Sequence, residues 1–131
     1  GLDVNNKSKV KKILDKIFNL HSFKDFDLII DDGSRNLSDM LLSLNFFFKL
    51  LKNGGTYIIE DFKLPNYYEY NNNIDHIFVD EFLNNIKNKK ISESLIFSKK
   101  DQEYLINKID KINIYKGNFD DSDICFIEKF K

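Results

Sequence analysis

The stretches FDLIIDDGSR (residues 26–35) and NGGTYIIEDF (residues 53–62) decide the fold of this chain. Each contains a short, nearly continuous apolar run, over residues 26–30 and 56–59, that ends abruptly in acidic residues. Strands that are apolar on both faces are typical of a parallel sheet covered by helices. The two stretches therefore predict two buried strands, and their acidic ends predict a place where a ligand binds.

The segment between these strands predicts a helix over about residues 37–52. Asn36 or Ser38 can cap its start, because either side chain can accept a hydrogen bond from the first turn. The pair Gly54-Gly55 is expected to end it. The helix is apolar nearly all round, which indicates that it packs tightly on the sheet.

The rest of the chain alternates between helical and strand patterns. The remaining predicted elements are helices over residues 7–18, 74–88 and 98–109, an irregular loop over 66–73, a short strand over 95–97, and strands over 111–116 and 123–130. This order predicts an α/β fold, a three-layer sandwich with a mostly parallel sheet, in which the last two strands form an antiparallel hairpin. We interpret residues 1–131 as a single partial domain.

The balance of charge argues against several classes of partner. The chain has 20 Lys and Arg residues and 21 Asp and Glu residues, for a formal net charge of -1. That balance gives no reason to expect nucleic acid or an anionic membrane as a partner. No apolar run approaches the roughly 18–20 residues that span a bilayer. The single cysteine, Cys125, rules out an internal disulfide, fits a reducing cytoplasm, and lies in an apolar run that predicts its burial.

The strand-end carboxylates are candidate metal ligands. If the two strands are neighbours, Asp31, Asp32, Glu60 and Asp61 converge, and a cation or hydrogen bonds must offset their repulsion. Hard oxygen ligands suit Mg²⁺ or Ca²⁺, and the presence of only two histidines and one cysteine argues against zinc. Either pair alone is also common as turn chemistry or as solvated charge at a strand end. Their occurrence on successive strands favours a ligand site.

Together, residues 26–35 and 53–62 resemble the metal-dependent O-methyltransferases of the macrocin type and the related cephalosporin-hydroxylase-like proteins, a group of class I S-adenosylmethionine-dependent methyltransferases. Members carry FD-apolar-apolar-DDGSH on their fourth strand and GG-x-apolar-apolar-ED on their fifth. The close match covers residues 26–62, a little under a third of the chain. The resemblance implies a Rossmann-like sheet, of which this chain is expected to hold the C-terminal half and to lack the N-terminal strands.

The resemblance also implies roles for the strand-end residues. By position, Asp32, Glu60 and Asp61 match the group's divalent-metal ligands. A Mg²⁺ ion there, or another divalent cation, would bind two oxygens of the acceptor and lower the pKa of its hydroxyl, which makes Asp32 a catalytic residue as well. Asp31 would lie near the methionine part of S-adenosylmethionine.

Arg35 departs from the group's pattern, which has histidine here as the proposed general base. Arginine stays protonated at neutral pH and cannot accept a proton. If Arg35 occupies the catalytic position, another group is the base, the metal alone activates the acceptor, or the protein is inactive or uses a different substrate. Arg35 could also simply pair with nearby carboxylates. We interpret His76, the only downstream histidine, as lying on a helix face.

The cofactor loop of the group has no counterpart in this sequence. No G-x-G pattern occurs, and the paired glycines Gly54-Gly55 precede the second strand instead. Asp3 could end the group's second strand and hold the cofactor ribose, or it could end the third strand. Because only one predicted helix separates Asp3 from residues 26–30, we favour the third strand.

The loop Tyr67-Tyr68-Glu69-Tyr70 follows the second strand of the motif. In the resembling group this region can form part of the acceptor pocket, and aromatic rings suit stacking on sugar or ring faces. A surface loop with scattered aromatic residues is the alternative interpretation.

Three functions are compatible with these patterns. The first is a metal-assisted O-methyltransferase, seen here as a fragment, that acts on a small hydroxylated or sugar-containing acceptor. The second is a non-catalytic binding module of the same fold, suggested by Arg35 and by the missing glycine loop. The third is a phosphate-handling or receiver-like domain, for which Lys63 is only loosely placed. An exposed sheet in a truncated fold would also favour self-association into a homo-oligomer.

Overall fold

A computed structural model of the chain describes residues 6–21, 26–119 and 122–131. Its elements run in the order helix, strand, helix, strand, helix, helix, strand, strand, with short 3₁₀ turns between them. The bounds are α1 Lys7–His21, β1 Phe26–Asp31, α2 Leu37–Phe47, β2 Leu51–Glu60, α3 Val79–Lys87, α4 Lys99–Lys108, β3 Ile109–Tyr115 and β4 Ile124–Lys129, with 3₁₀ turns at Phe48–Leu50, Leu64–Tyr67 and Glu69–Asn71.

The described residues form a four-stranded mixed sheet in the order β1-β2-β4-β3. Strands β1 and β2 are parallel neighbours, with Asp31 opposite Ile59 at their carboxyl ends. Strand β4 inserts antiparallel between β2 and β3, and the β3–β4 pair is the C-terminal hairpin. The α/β class and the antiparallel hairpin predicted from the sequence are therefore confirmed, and the acidic ends of β1 and β2 lie at the same edge of the sheet.

One face of the sheet carries the core. Cross-strand neighbours on this face include Ile29, Tyr57, Ile127 and Ile112, which form one row through the four strands. Helices α2, α3 and α4 bury their apolar residues in the same cluster. The most deeply buried large side chains are Tyr57, Phe48, Phe62, Phe82, Phe97, Leu37, Leu41, Leu44, Leu51, Ile59, Leu83 and Leu105.

Helix α2 begins where the sequence predicts and ends earlier. The side chain of Asn36 accepts a hydrogen bond from the Ser38 amide and caps the helix. The predicted end at residue 52 is wrong, because the chain passes through a 3₁₀ turn and β2 already begins at Leu51. The glycines serve the strand instead: a Cβ on Gly55 would lie 3.0–3.2 Å from backbone oxygens, two of them in β1. Glycine thus permits the close approach of β1 and β2.

The region before α3 also differs from the prediction. Residues 74–78 are not helical, and α3 begins at Val79. The buried carboxylate of Asp75 accepts hydrogen bonds from the backbone amides of His76, Leu95 and Ile96. Such a side chain competes with helical hydrogen bonds. It also holds residues 95–97 as a bend, where the sequence predicted a short strand.

Cys125 is fully buried and unpaired, as predicted. Burial raises the pKa of its thiol to about 12, so it behaves as a small apolar residue. None of the helices in the described part of the chain is long and apolar enough to cross a bilayer.

Candidate functional site

The carboxyl ends of β1 and β2 bring the predicted metal ligands to one small cavity. Because Asp31 pairs with Ile59, the next residues along the chain lie at the same edge of the sheet: Asp32 directly follows β1, and Glu60 is the last residue of β2. Asp32, Glu60 and Asp61 all line a cavity of about 120 Å³. Arg35 lines the same cavity. The structure thus brings four of the predicted site residues together.

A larger cavity of about 560 Å³ adjoins the first and shares Asp32 with it. It lies beside β1 and along α2 from Asp39 to Phe47. Its polar lining residues are Asp31, Asp32, Ser34, Asp39, Ser43 and Tyr57, and its apolar ones include Ile29, Met40 and Phe47. The volume lies within the range that small-molecule sites occupy.

Asp31 lies in the wall of the larger cavity and is only partly accessible. Its carboxylate accepts a hydrogen bond from the Tyr57 hydroxyl at 3.1 Å. Burial raises the pKa of Asp31 above its ordinary value, although the bonds from Tyr57 and from the Gly33 amide oppose that shift. A carboxylate kept in a partly desolvated position is common at functional sites.

Asp61 has an unusual backbone. Its φ angle is 51°, in the left-handed region that side-chain-bearing residues seldom adopt. Aspartate tolerates this region better than most residues, because its short side chain can hydrogen-bond locally. The turn directs the chain away from β2 immediately after Glu60, so both carboxylates stay at the cavity while the backbone leaves the sheet. Strained backbone of this kind is concentrated at functional sites.

Arg35 contacts the tyrosine-rich loop and not an acid. Its Nη1 donates to the hydroxyl of Tyr68 at 3.2 Å. Among the residues that the structure describes, no carboxylate lies within 4.0 Å of the guanidinium. The interpretation that Arg35 simply pairs with nearby carboxylates is therefore wrong.

Asn71 joins the tyrosine-rich loop to the start of α2. Its side-chain oxygen accepts from the amide of Leu37 at 3.0 Å. Its side-chain nitrogen donates to the backbone oxygens of Arg35 and Pro65, at 3.2 and 3.0 Å. Asn71 is fully buried, so these bonds fix the loop without competition from water.

Lys63 is engaged elsewhere. Its ammonium group lies 2.6 Å from the carboxylate of Asp123, which precedes β4. This hydrogen bond raises the pKa of Lys63 and lowers that of Asp123. Lys63 therefore stays protonated and holds the turn after Asp61 against the hairpin.

The remaining predicted site residues lie outside this cluster. Asp3 falls outside the described residues. His76 lies in the bend before α3, half exposed, and lines neither cavity. Within residues 6–21, 26–119 and 122–131, no three acidic, histidine or cysteine side chains form a preassembled metal-binding group.

Two residues of the site were missed by sequence reasoning. Tyr57 lies in the apolar run of β2, and a buried tyrosine hydroxyl usually has a hydrogen-bond partner. That polar group was the signal that could have revealed its contact with Asp31. The run of three asparagines over 71–73 hid Asn71, because nothing in the sequence distinguishes the buried asparagine from its exposed neighbours.

The sheet order, with a parallel pair followed by an antiparallel hairpin, places this chain in the methyltransferase fold. Solved structures of the MycE methyltransferase from the mycinamycin biosynthetic pathway are similar to it. The alignment with one of them, in complex with Mg and SAH, has a TM-score of 0.62 at 21% identity and covers 99% of this chain and 32% of the MycE chain. The alignment with another, in complex with Mg, SAH and mycinamycin VI, has a TM-score of 0.58 at 21% identity and covers 92% of this chain and 29% of the MycE chain.

This chain thus spans about a third of the length of those proteins. No protein-family profile and no curated protein matches it by sequence. The likeness establishes the fold.

Proposed function

We propose that this chain forms the metal- and acceptor-binding part of an S-adenosylmethionine-dependent, divalent-metal-assisted O-methyltransferase of the macrocin type. Its acceptor is a small hydroxylated or sugar-containing compound. The observation that carries the proposal is the gathering of Asp32, Glu60 and Asp61 around one cavity at the carboxyl ends of a parallel pair. The MycE structures, which hold Mg and SAH, support it by their fold.

The residues present fit a magnesium ion. Carboxylate oxygens are the ligands that Mg²⁺ prefers, and Mg²⁺ commonly uses one or two carboxylates together with waters and substrate oxygens. A preassembled three-ligand group is therefore not needed. Asp32, Glu60 and Asp61 would hold the ion, which would supply charge that lowers the pKa of an acceptor hydroxyl.

The cofactor would supply the methyl group, and the larger cavity is the part of this chain that would face it. Asp31 lies in that cavity with its carboxylate oriented by Tyr57. We assign Asp31 to the methionine end of the cofactor, whose ammonium group a carboxylate can bind. Asp3, which the sequence suggested as a further cofactor contact, is part of the same proposal.

Neither cation near the small cavity can accept the acceptor's proton. The guanidinium of Arg35 offers only hydrogen-bond donors and no acceptor. Lys63 is kept protonated by Asp123, whose hydrogen bond raises the pKa of the ammonium group. Histidine lines neither cavity among the described residues. Proton removal is therefore assigned to solvent or to a group outside these side chains, and Arg35 is assigned to binding.

Calorimetric titration with Mg²⁺ tests the ligand assignment on the intact protein. Glu60→Gln and Asp61→Asn are each expected to weaken Mg²⁺ binding about tenfold or more, since ligands matter at least as much as the groups that orient them. Glu103→Gln, on the exposed surface of α4, is the matched control and should leave the affinity unchanged. Mg²⁺ affinity that is equal in wild type and Glu60→Gln would reject the assignment.

A second candidate function is favoured by Arg35. If the missing histidine means that proton transfer has been lost, the chain is a non-catalytic binding module of the same fold. The intact protein would then bind S-adenosylhomocysteine or Mg²⁺ without transferring a methyl group. Transfer of a labelled methyl group from S-adenosylmethionine to any hydroxylated compound would exclude this alternative.

A further inference from the structure

Arg35 is a positioned cation at the rim of the small cavity. Its side chain donates to the Tyr68 hydroxyl, and its backbone oxygen accepts from the side chain of Asn71. Both tethers come from the loop that follows β2, and Asn71 is itself fully buried. Asn71 therefore fixes the backbone of Arg35, and the bond to Tyr68 orients its guanidinium.

The charge of Arg35 is not neutralised by an acid of the described chain. Asp32, Glu60 and Asp61 line the same cavity, yet no carboxylate lies within 4.0 Å of the guanidinium. A guanidinium offers five N–H donors in a planar fork that matches a carboxylate. Tyr68 occupies Nη1 with one bond, which leaves donors for a ligand.

We propose that Arg35 binds a carboxylate of the acceptor, so that the acceptor is a hydroxylated ring compound carrying an acid group. The inference rests on the proposed function, because the small cavity that Arg35 lines would hold the acceptor's hydroxyl oxygens. A carboxylate fits better than a phosphate, since the single negative charge is repelled less by the three acidic residues nearby.

The aromatic side chains of the loop favour a ring on the acceptor. The rings of Tyr68 and Tyr70 lie 5.4 Å apart, and Tyr70 is 57% exposed. Tyr67 is exposed as well. Flat aromatic surfaces beside a guanidinium can contact a ring while the cation binds its acid group.

Two matched probes separate charge from shape: 3,4-dihydroxybenzoate and its methyl ester. Calorimetric titration of the intact protein with each probe, with Mg²⁺ and again with a chelator, gives the ratio of the two dissociation constants. The acid is expected to bind wild type about tenfold or more tightly than the ester, as a charge-assisted hydrogen bond allows. In Arg35→Gln the ratio should fall to near one with the affinity for the ester unchanged. Arg35→Lys should keep part of the preference.

The inference would be overturned by a ratio near one in wild type, by a preference that survives in Arg35→Gln, or by no binding of either probe. A loss of ester binding in Arg35→Gln would also overturn the inference, because it would show that Arg35 stabilises the loop after β2 and does not bind the acid group. If the protein prefers the acid but does not bind Mg²⁺, the inference stands and the proposed metal-assisted function fails. If Mg²⁺ binds but the acid preference is absent, the proposed function stands alone.

Discussion

The hydroxyl of Tyr57 donates a hydrogen bond to the carboxylate of Asp31, and the two oxygens lie 3.1 Å apart. The bond crosses the parallel pair, from the buried face of β2 to the wall of the larger cavity. Burial raises the pKa of both groups. The fold thus places a carboxylate in surroundings that disfavour its charged form. Groups whose pKa values are shifted in this way are concentrated at binding and catalytic sites.

Asp31→Asn is expected to stabilise the protein at neutral pH. The folded-state pKa of Asp31 is raised above its ordinary 3.8, so the wild-type carboxyl favours folding at low pH and loses that contribution as pH rises through the folded pKa. The asparagine oxygen can still accept from Tyr57 and carries no charge. The free energy of unfolding of the variant should exceed that of wild type at pH 7, and the difference should shrink as pH falls toward 4.

Urea unfolding followed by circular dichroism between pH 4 and pH 8 measures this. Asp27→Asn is the matched control, because the Asp27 side chain is 85% exposed and its loss should change stability little. Tyr57→Phe should act in the opposite direction and cost about 1–3 kcal/mol, since it leaves the carboxylate without its donor. If the difference in free energy of unfolding between Asp31→Asn and wild type did not change with pH, the raised pKa of Asp31 would be contradicted.

Substitutions at Asp61 separate the backbone from the carboxylate. The positive φ angle means that Asp61→Gly and Asp61→Asn should retain wild-type stability, whereas Asp61→Ala should lose about 1–2 kcal/mol. All three variants should bind Mg²⁺ more weakly if the carboxylate is a ligand. Thermal unfolding and Mg²⁺ titration of the three proteins check both points. Full Mg²⁺ affinity in Asp61→Gly would show that Asp61 forms the turn but is not a ligand of the ion.

Asn71→Ala is expected to destabilise the protein by about 2–3 kcal/mol. The change leaves the buried amide of Leu37 without an acceptor and removes two donated bonds. Asn72→Ala, at the exposed neighbouring position, is the control and should change stability by less than about 0.5 kcal/mol. Hydrogen exchange of the Leu37 amide should accelerate only in the first variant. Equal stability of the two variants would show that the loop is held by other contacts.

Gly55→Ala tests the close approach of β1 and β2. A Cβ at this position would meet backbone oxygens of Phe26, Asp27 and Lys52 at 3.0–3.2 Å, and backbone cannot move aside as a flexible side chain can. We expect a loss of about 1–3 kcal/mol. Asn53→Ala, exposed and two residues earlier, should be nearly neutral. Chemical denaturation of both variants measures the difference, and a neutral Gly55→Ala would mean that the strands can separate at little cost.

Cys125 is expected to resist alkylation in the folded protein. Its side chain is fully buried and its pKa is raised to about 12, so very little thiolate forms at pH 8. As the single cysteine of the chain, it reports on opening of the sheet without interference. Labelling with iodoacetamide should be slow in buffer and fast in denaturant. Rapid labelling without denaturant would show that β4 is accessible in the native state.

Sequence reasoning predicted the elements whose signals are local. The apolar runs predicted the positions of β1 and β2, and Asn36, one of the two candidate caps, is the cap of α2. The predicted burial of β1 on both faces is wrong, because Leu28 and Ile30 are about half exposed. Sequence reasoning also failed where a distant partner decides the conformation. The carboxylate of Asp75 accepts hydrogen bonds from residues 94–96, which takes the place of helix and strand there, and no local pattern predicts a contact some 20 residues away.

The sequence by itself determined the strand-end acids, the alternation of helix and strand, and the class of the fold, because apolar periodicity and turn residues act over a few positions. Only the tertiary structure decided which strands are neighbours, and hence that Asp32, Glu60 and Asp61 share a cavity with Arg35. It also decided that Arg35 meets Tyr68 across 33 residues of chain instead of an acid. Such pairings depend on how the sheet orders its strands and where the loop after β2 lies, and chain spacing carries no information about either.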